Sequence, residues 1–188
     1  MSGRIGGKTM KLMFISDIHG SYTSAKKAID IFNEEKADKL IILGDILYHG
    51  PRNDLPEGHA PKKVVTLLNE YKDKIIAVRG NCDAEVDQMV LEFDVLSTYT
   101  RLYVDDRCFF LTHGHHYDPE HLPSLNKGDV FVYGHYHIPV LKEENGIYIV
   151  NPNSISLPKQ GEKGYAIYEN GKICLYNLEK NLLNEKKL

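Results

Sequence analysis

Seven side chains of metal-binding type recur in one setting along the chain. They are Asp17 and His19 in Ser16-Asp17-Ile18-His19-Gly20, Asp45 in Gly44-Asp45, Asn81 in Gly80-Asn81-Cys82-Asp83, His113 in Thr112-His113-Gly114-His115, and His135 and His137 in Gly134-His135-Tyr136-His137. Imidazole mixed with carboxylate suits Mn²⁺, Fe²⁺, Zn²⁺ or Co²⁺, and no all-thiolate set is present. Seven groups exceed what one ion accepts; they are about right for two ions roughly 3.5–4 Å apart sharing a bridging carboxylate. Such a pair binds a phosphate ester through its oxygens, lowers the pKa of a bridging water to give hydroxide near neutral pH, and stabilises in-line displacement. Taken singly, each residue has an ordinary alternative as a cap, turn, core or surface residue. Their joint placement carries the inference.

That placement follows from five short apolar runs, Leu12-Met13-Phe14-Ile15, Leu40-Ile41-Ile42-Leu43, Ile75-Ile76-Ala77-Val78, Cys108-Phe109-Phe110-Leu111 and Val130-Phe131-Val132-Tyr133, each ending at one of these groups. Runs of this kind read as strands buried on both faces. In α/β folds ligands bind in the crevice outside the carboxyl ends of the strands. Between the first two runs, Ala25, Ala28, Ile29 and Phe32 mark an amphipathic helix over 22–35 with Ser21 or Thr23 as N-cap, giving a βαβ unit. A long loop, 47–61, holds three prolines and two glycines and leaves Asp45 as a wall of the site, with His49, Arg52 and Asn53 facing substrate. Val64, Val65, Leu67 and Leu68 mark a second helix, and 85–92 a short one with Val86, Met89 and Val90 inward.

Beyond residue 98 short runs alternate with tight turns. Strands are expected at 99–104, 107–112, 138–142, 146–150, 165–168 and 173–176, with hairpin-type turns at Asp105-Asp106, Glu144-Asn145-Gly146 and Asn170-Gly171. Two packed sheets flanked by helices reconcile the βαβ half with the antiparallel half. Met1–Thr9 is set aside as an extension, 10–178 form a single domain, and the charged 179–188 are expected to fray.

Composition bounds the rest. The 188 residues suit one domain, and 42% hydrophobic with 26% charged residues is ordinary for a soluble globular protein. A formal charge of −3 gives no electrostatic footprint for nucleic acid or anionic membrane, although it leaves room for a small phosphate ester held by metal. Three scattered cysteines, Cys82, Cys108 and Cys174, fit a reducing compartment, and the absence of a membrane-length apolar run or signal-peptide core makes the cytoplasm the expected location.

The ordered motifs Asp17-x-His19, Gly44-Asp45, Gly80-Asn81, Thr112-His113-Gly114-His115 and Gly134-His135-x-His137 resemble the calcineurin-like metallophosphoesterase family, over roughly Met10 to Tyr176. Asn81-Cys82-Asp83 and the loop Gly50 to Gly58 resemble, more narrowly, its branch of small bacterial phosphodiesterases. The resemblance implies an α/β fold, a four-layer α/β/β/α sandwich of two mixed sheets flanked by helices. It also implies a centre of two divalent ions, Mn²⁺ first, with Fe²⁺, Zn²⁺, Co²⁺ or Ni²⁺ as alternatives. Asp17, His19 and His137 would hold one ion, Asn81, His113 and His135 the other, and Asp45 would bridge.

Asn151-Pro152-Asn153-Ser154 resembles the family's Asn-Pro-Gly-Ser turn with Asn153 in the glycine's place. Cys82 stands where many members carry a histidine that helps the leaving group depart; a thiol is a poorer match for that role. His115 is expected to donate to phosphate or to support the ligands, while His59, His116 and His121 are expected at the surface and Tyr136 to point away from the metals. The implied activity is hydrolysis of small phosphodiesters by attack of hydroxide bridging two ions, with Cys82, His115 and Arg52 as further site residues. A phosphomonoesterase or nucleotide pyrophosphatase on the same site is the second enzyme reading, and Arg52 would favour a more highly charged monoester. A protein-binding scaffold of the same fold is the reading from another class, opposed by the complete ligand set. Membrane partners are not expected, nucleic acid is disfavoured, and a homodimer or higher homo-oligomer is compatible with the resemblance.

Overall fold

Strand β1 (Leu12–Ile15) is apolar and buried at every position. Alternate side chains of such a strand enter different layers. Met13 and Ile15 pack among helix residues, whereas Leu12 and Phe14 pack towards a second sheet. The computed structural model describes residues 10–188; Met1–Thr9, set aside as an extension, lie outside the described residues.

Helix α1 (Tyr22–Glu34) follows, capped by Ser21, whose Oγ accepts the Ser24 amide at 3.3 Å. After β2 (Lys39–Ile42) comes the expected irregular loop, and then α2 (Pro61–Asn69) begins on a proline, where the missing N–H leaves no hydrogen bond unmade. A single 3₁₀ turn (Lys72–Lys74) leads into β3 (Ile75–Ala77), and β1, β2 and β3 pair in parallel. Then come α3 (Glu85–Gln88), β4 (Tyr99–Val104), β5 (Arg107–Thr112), β6 (Val130–Val132), β7 (Val140–Glu144) and β8 (Ile147–Asn151). The chain ends with β9 (Gly164–Glu169), β10 (Lys172–Asn177) and β11 (Leu182–Lys187).

The two sheets are both mixed. One runs β11-β10-β9-β1-β2-β3 and the other β4-β5-β6-β8-β7. The three expected hairpin turns have left-handed pairs at their tips, Asp105 and Asp106 at φ 51° and 62°, Asn145 and Gly146 at 53° and 84°, and Asn170 and Gly171 at 53° and 72°. Positive φ at both central residues is the type I′ geometry that matches strand twist. Between the sheets Leu12, Phe14, Ile41 and Leu43 meet Phe109, Leu111, Val130 and Val132, and the Tyr168 ring packs 4.8 Å from that of Phe109. On the outer face of the first sheet, Ala25, Ala28, Ile29 and Phe32 of α1 join Val64 and Leu68 of α2. The outer face of the second sheet, with Phe110, Phe131 and Ile149, is covered by Tyr117 and Leu125 of the irregular segment 113–129. Gly114, Pro119, Pro123 and Gly128 interrupt any regular helix there.

Several local expectations are corrected. The tail 179–188, expected to fray, carries β11, which pairs antiparallel with β10. Helix α3 ends at Gln88 rather than 92, and Val86, Met89 and Val90 face solvent at 63%, 83% and 46% exposure. Asp87 and Leu91 are the buried positions, because the Asp87 carboxylate turns back to accept the Ala84 amide at 2.7 Å and fixes the helix in the opposite phase. The strands expected at 138–142 and 146–150 sit slightly later, as β7 and β8.

Candidate metal centre

Five of the seven candidate ligands have left-handed backbone: Asp17 (φ 55°), His19 (49°), Asp45 (54°), His135 (63°) and His137 (56°). For a non-glycine residue this conformation costs on the order of 1–3 kcal/mol and persists only where the surroundings over-determine it, a pattern typical of ligand sites. Here the strand-end turns lace together. The His19 amide donates to the Asp45 carbonyl and the Gly20 amide to that of Ile46, both at 2.9 Å. Ser154 and Ser156 each donate an Oγ–H to the Asp17 carbonyl at 2.8 Å, and the His135 amide reaches Asp17 Oδ2 at 3.1 Å. Asn153, at φ 76°, keeps the glycine-like turn because its Nδ2 donates to the Gln160 and Glu162 carbonyls, both at 2.8 Å. Two glycines allow the turns to close. A Cβ on Gly134 would lie 1.9 Å from Ser16 Oγ, and one on Gly80 would lie 2.1 Å from Asp45 Oδ1.

The side chains converge. His137 Nε2 lies 3.1 Å from Asp17 Oδ1 and 3.3 Å from His19 Nε2. His113 Nε2 lies 3.4 Å from Asp45 Oδ2 and 3.0 Å from Asn81 Oδ1. Asp17, His19 and His137 thus form one compact donor group and Asp17, Asp45 and His113 another, each with its atoms within 4.8 Å of one another. Each ring is oriented from behind, His19 Nδ1 by the Tyr48 carbonyl at 2.8 Å, His113 Nδ1 by that of Leu43 at 2.6 Å and His137 Nδ1 by that of Leu157. A ring that donates from Nδ1 presents Nε2 as a lone pair, the arrangement of metal-binding histidines. His135 lines the cleft with its ring centroid 5.1 Å from that of His113.

Charge follows burial. Burial alone would lower the His113 imidazolium, but the Asp45 and Asp17 carboxylates outweigh it and hold it up at about 9. Burial would raise Asp17, yet the His137, His113 and His19 rings hold it well below the usual carboxylate range, and burial would raise Asp45 too, yet His113 lowers it. The carboxylate–imidazolium contacts that hold these protons are the contacts a divalent cation would replace. Cys82 Sγ lies with His19 and Asp45 in a third donor group, and half-burial together with the Asp45 carboxylate pushes the thiol up to about 12, so it stays neutral.

Asp17, His19, Asp45, Asn81, His113, His135 and His137 are all brought to one region. His19, Asp45, Asn81, Cys82, His135 and His137 line a cleft of about 410 Å³, walled by Arg52 and Asn53 as the loop composition predicts. His115 is not on that lining. Its ring packs 5.3 Å from His113 and 4.0 Å from His116, and burial with these neighbours pushes it down to about 4, so support of the ligand rings is the role the geometry offers. His49, expected to face substrate, packs between Tyr48 and His59, and His59 is half-buried rather than at the surface. His116 and His121 are exposed as expected, whereas Tyr136 lines the cleft because the left-handed turns around it break the alternation.

Sequence inspection misses two contributors. Asp83 is buried and accepts the amides of Asp45 and Ile46 at 2.8 Å and of Gly80 at 2.7 Å, tying the turns after β2 and β3 together. Its signal was an aspartate in a turn, a residue type that captures backbone N–H groups. Lys159 also lines the cleft, held by its amide on the His137 carbonyl at 2.9 Å, a long-range contact with no local signature.

Residues 10–172 match the family model described as the calcineurin-like phosphoesterase superfamily domain. Phosphodiesterase YfcE of Escherichia coli is 51% identical over 162 residues, covering 86% of this chain and 88% of that protein. A phosphodiesterase of Methanocaldococcus jannaschii is 29% identical over 151 residues, covering 76% and 82%. The solved structure of the E. coli protein, a phosphoesterase, superposes with a TM-score of 0.93 at 47% identity over 95% of this chain and 99% of that one. With its motifs gathered at the strand ends of two packed mixed sheets, this chain belongs to the calcineurin-like phosphoesterase superfamily and is an enzyme of it.

Proposed function

We propose that this chain is a metal-dependent phosphodiesterase acting on small diesters. The observation that carries the proposal is the convergence of the Asp17 and Asp45 carboxylates with the imidazoles of His19, His113 and His137, all but His113 on left-handed turns, beside one cleft. The donor set fits divalent cations: oxygen and imidazole nitrogen, each ring braced from behind by a carbonyl. Asp17, His19 and His137 would hold one ion, Asn81, His113 and His135 the other, and Asp45 would bridge, with Mn²⁺ the expected metal and Fe²⁺, Zn²⁺, Co²⁺ or Ni²⁺ as alternatives. Bound there, the pair would supply a bridging hydroxide near neutral pH and positive charge for the developing phosphoryl oxygens.

The chain's own residues do the rest. With two divalent cations held there, two carboxylates would leave the floor positive, favouring a phosphate ester in the cleft. Arg52 and Asn53 stand on the wall of the cleft, where they would meet an ester arm. The neutral Cys82 thiol is a weak acid for a departing alkoxide, so esters with good leaving groups are the ones turned over fast. Three free cysteines fit a reducing compartment such as the cytoplasm, and among the described residues no helix is long and apolar enough to cross a membrane.

The test is hydrolysis of bis-p-nitrophenyl phosphate beside p-nitrophenyl phosphate by metal-stripped protein titrated with Mn²⁺, with Asp45→Asn as control. Diester turnover that appears with Mn²⁺, exceeds monoester turnover and falls at least about a thousandfold in Asp45→Asn is expected. Metal uptake without diester turnover would refute the proposal.

A further inference from the structure

The cleft carries two basic side chains, Arg52 and Lys159. Several lysines elsewhere are neutralised, Lys26 by Asp30, Lys72 by Glu92, Lys142 by Glu144 and Lys180 by Glu34. Neither Arg52 nor Lys159 has a carboxylate partner among the described residues, and both are exposed to the cleft. In a chain of net charge −3, two unneutralised cations over one polar floor form a local positive field that low-dielectric walls focus.

They also enter from different sides. Arg52 stands on the loop that follows β2, beside Asn81 and Cys82 at the end of β3, so it belongs to the first sheet's side. Lys159 stands on the segment between β8 and β9, fixed to the His135-Tyr136-His137 turn that follows β6, so it belongs to the second sheet's side. The candidate metal ligands lie on the floor between. A scissile phosphate held on that floor would have its two ester arms left to the walls, and a cation on each wall is placed to meet one of them.

We propose that the cleft selects phosphodiesters carrying a further phosphate on one ester arm, with Lys159 as the specificity-determining residue that receives it. This rests on the phosphodiesterase assignment above and names the substrate class within it. A lysine suits the task as a compact, mobile point charge that follows an anion on a flexible arm. Exposure to the cleft means that its replacement removes charge without opening the core.

A matched pair of aryl diesters tests it, thymidine 5′-(p-nitrophenyl phosphate) and the same ester bearing a 3′-phosphate, both read as p-nitrophenolate released by the Mn²⁺-loaded protein. The wild type is expected to favour the 3′-phosphorylated ester by roughly tenfold in kcat/KM. Lys159→Ala lowers that preference about tenfold, chiefly through KM, Lys159→Arg restores most of it, and Lys127→Ala, on a distant surface, changes neither ester. An unchanged preference in Lys159→Ala, with both esters still hydrolysed, overturns the proposal and leaves the phosphodiesterase assignment standing. A fall that arginine does not restore assigns a packing role and overturns it too. Failure of the wild type on both esters defeats the assignment along with the proposal.

Discussion

At Cys82 a thiol lines the cleft beside Asn81 and Asp45, and its surroundings decide what it can do. Its amide donates to Asp45 Oδ1 at 2.8 Å, its Sγ accepts from Asn81 Nδ2 at 3.3 Å, and burial with the Asp45 carboxylate pushes its pKa up to about 12. A neutral thiol neither attacks phosphorus nor protonates an alkoxide efficiently near pH 7. The Cys82 backbone therefore positions Asp45 while its side chain fills space. Cys82→Ser should keep bis-p-nitrophenyl phosphate turnover within about threefold of wild type, since p-nitrophenolate needs no acid to leave. A loss beyond about a hundredfold in steady-state kinetics would make the thiol a catalytic group.

Among the elements, α3 shows where pattern and structure part. Val86, Met89 and Val90 carry a plausible apolar stripe, yet they point to solvent and Leu91, at 2% exposure, enters the helix-side core. Met89→Gln should therefore change stability by no more than about 0.5 kcal/mol, whereas Leu91→Ala should cost about 3 kcal/mol in urea unfolding, the outcome for a buried leucine. Equal costs would mean the helix faces the other way. A helix of four residues offers too few positions for a 3.6-residue period to fix its phase, which is why the sequence misleads here. The strands β1, β2, β5 and β6 were legible for the opposite reason, since burial on both faces writes an unbroken apolar run. β11 was illegible because Leu182–Lys187 is an edge strand with an exposed, charged sequence, the composition that discourages further pairing. The ligand-type residues were legible because each ends a run, whereas Lys159 reaches the cleft only through a tertiary contact between its amide and the His137 carbonyl.

Across the whole molecule the metal-free fold and the metal-loaded fold should answer pH with opposite sign. Without metal, His113 holds its proton up to about 9 between the Asp45 and Asp17 carboxylates, against an ordinary value near 6.5. A group raised in the folded state contributes stability that is complete below its unfolded value and disappears as pH rises through its folded one. The metal-free protein should thus lose of order 3 kcal/mol, or roughly 5–10 °C in Tm, between pH 6.5 and 9.5. With Mn²⁺ the same proton is a competitor, because His113 must present a free Nε2 to the ion, so binding tightens and the metal's stabilisation grows as pH rises over that interval. The two melting profiles should therefore diverge with rising pH. Calorimetric titration at pH 7 in two buffers of different ionisation enthalpy should register at least about one proton released per chain as the centre fills, the His113 proton among them. Parallel melting profiles with and without Mn²⁺, or binding without proton release, would place the metal away from His113 and break the link between the buried carboxylates and the centre they are proposed to build.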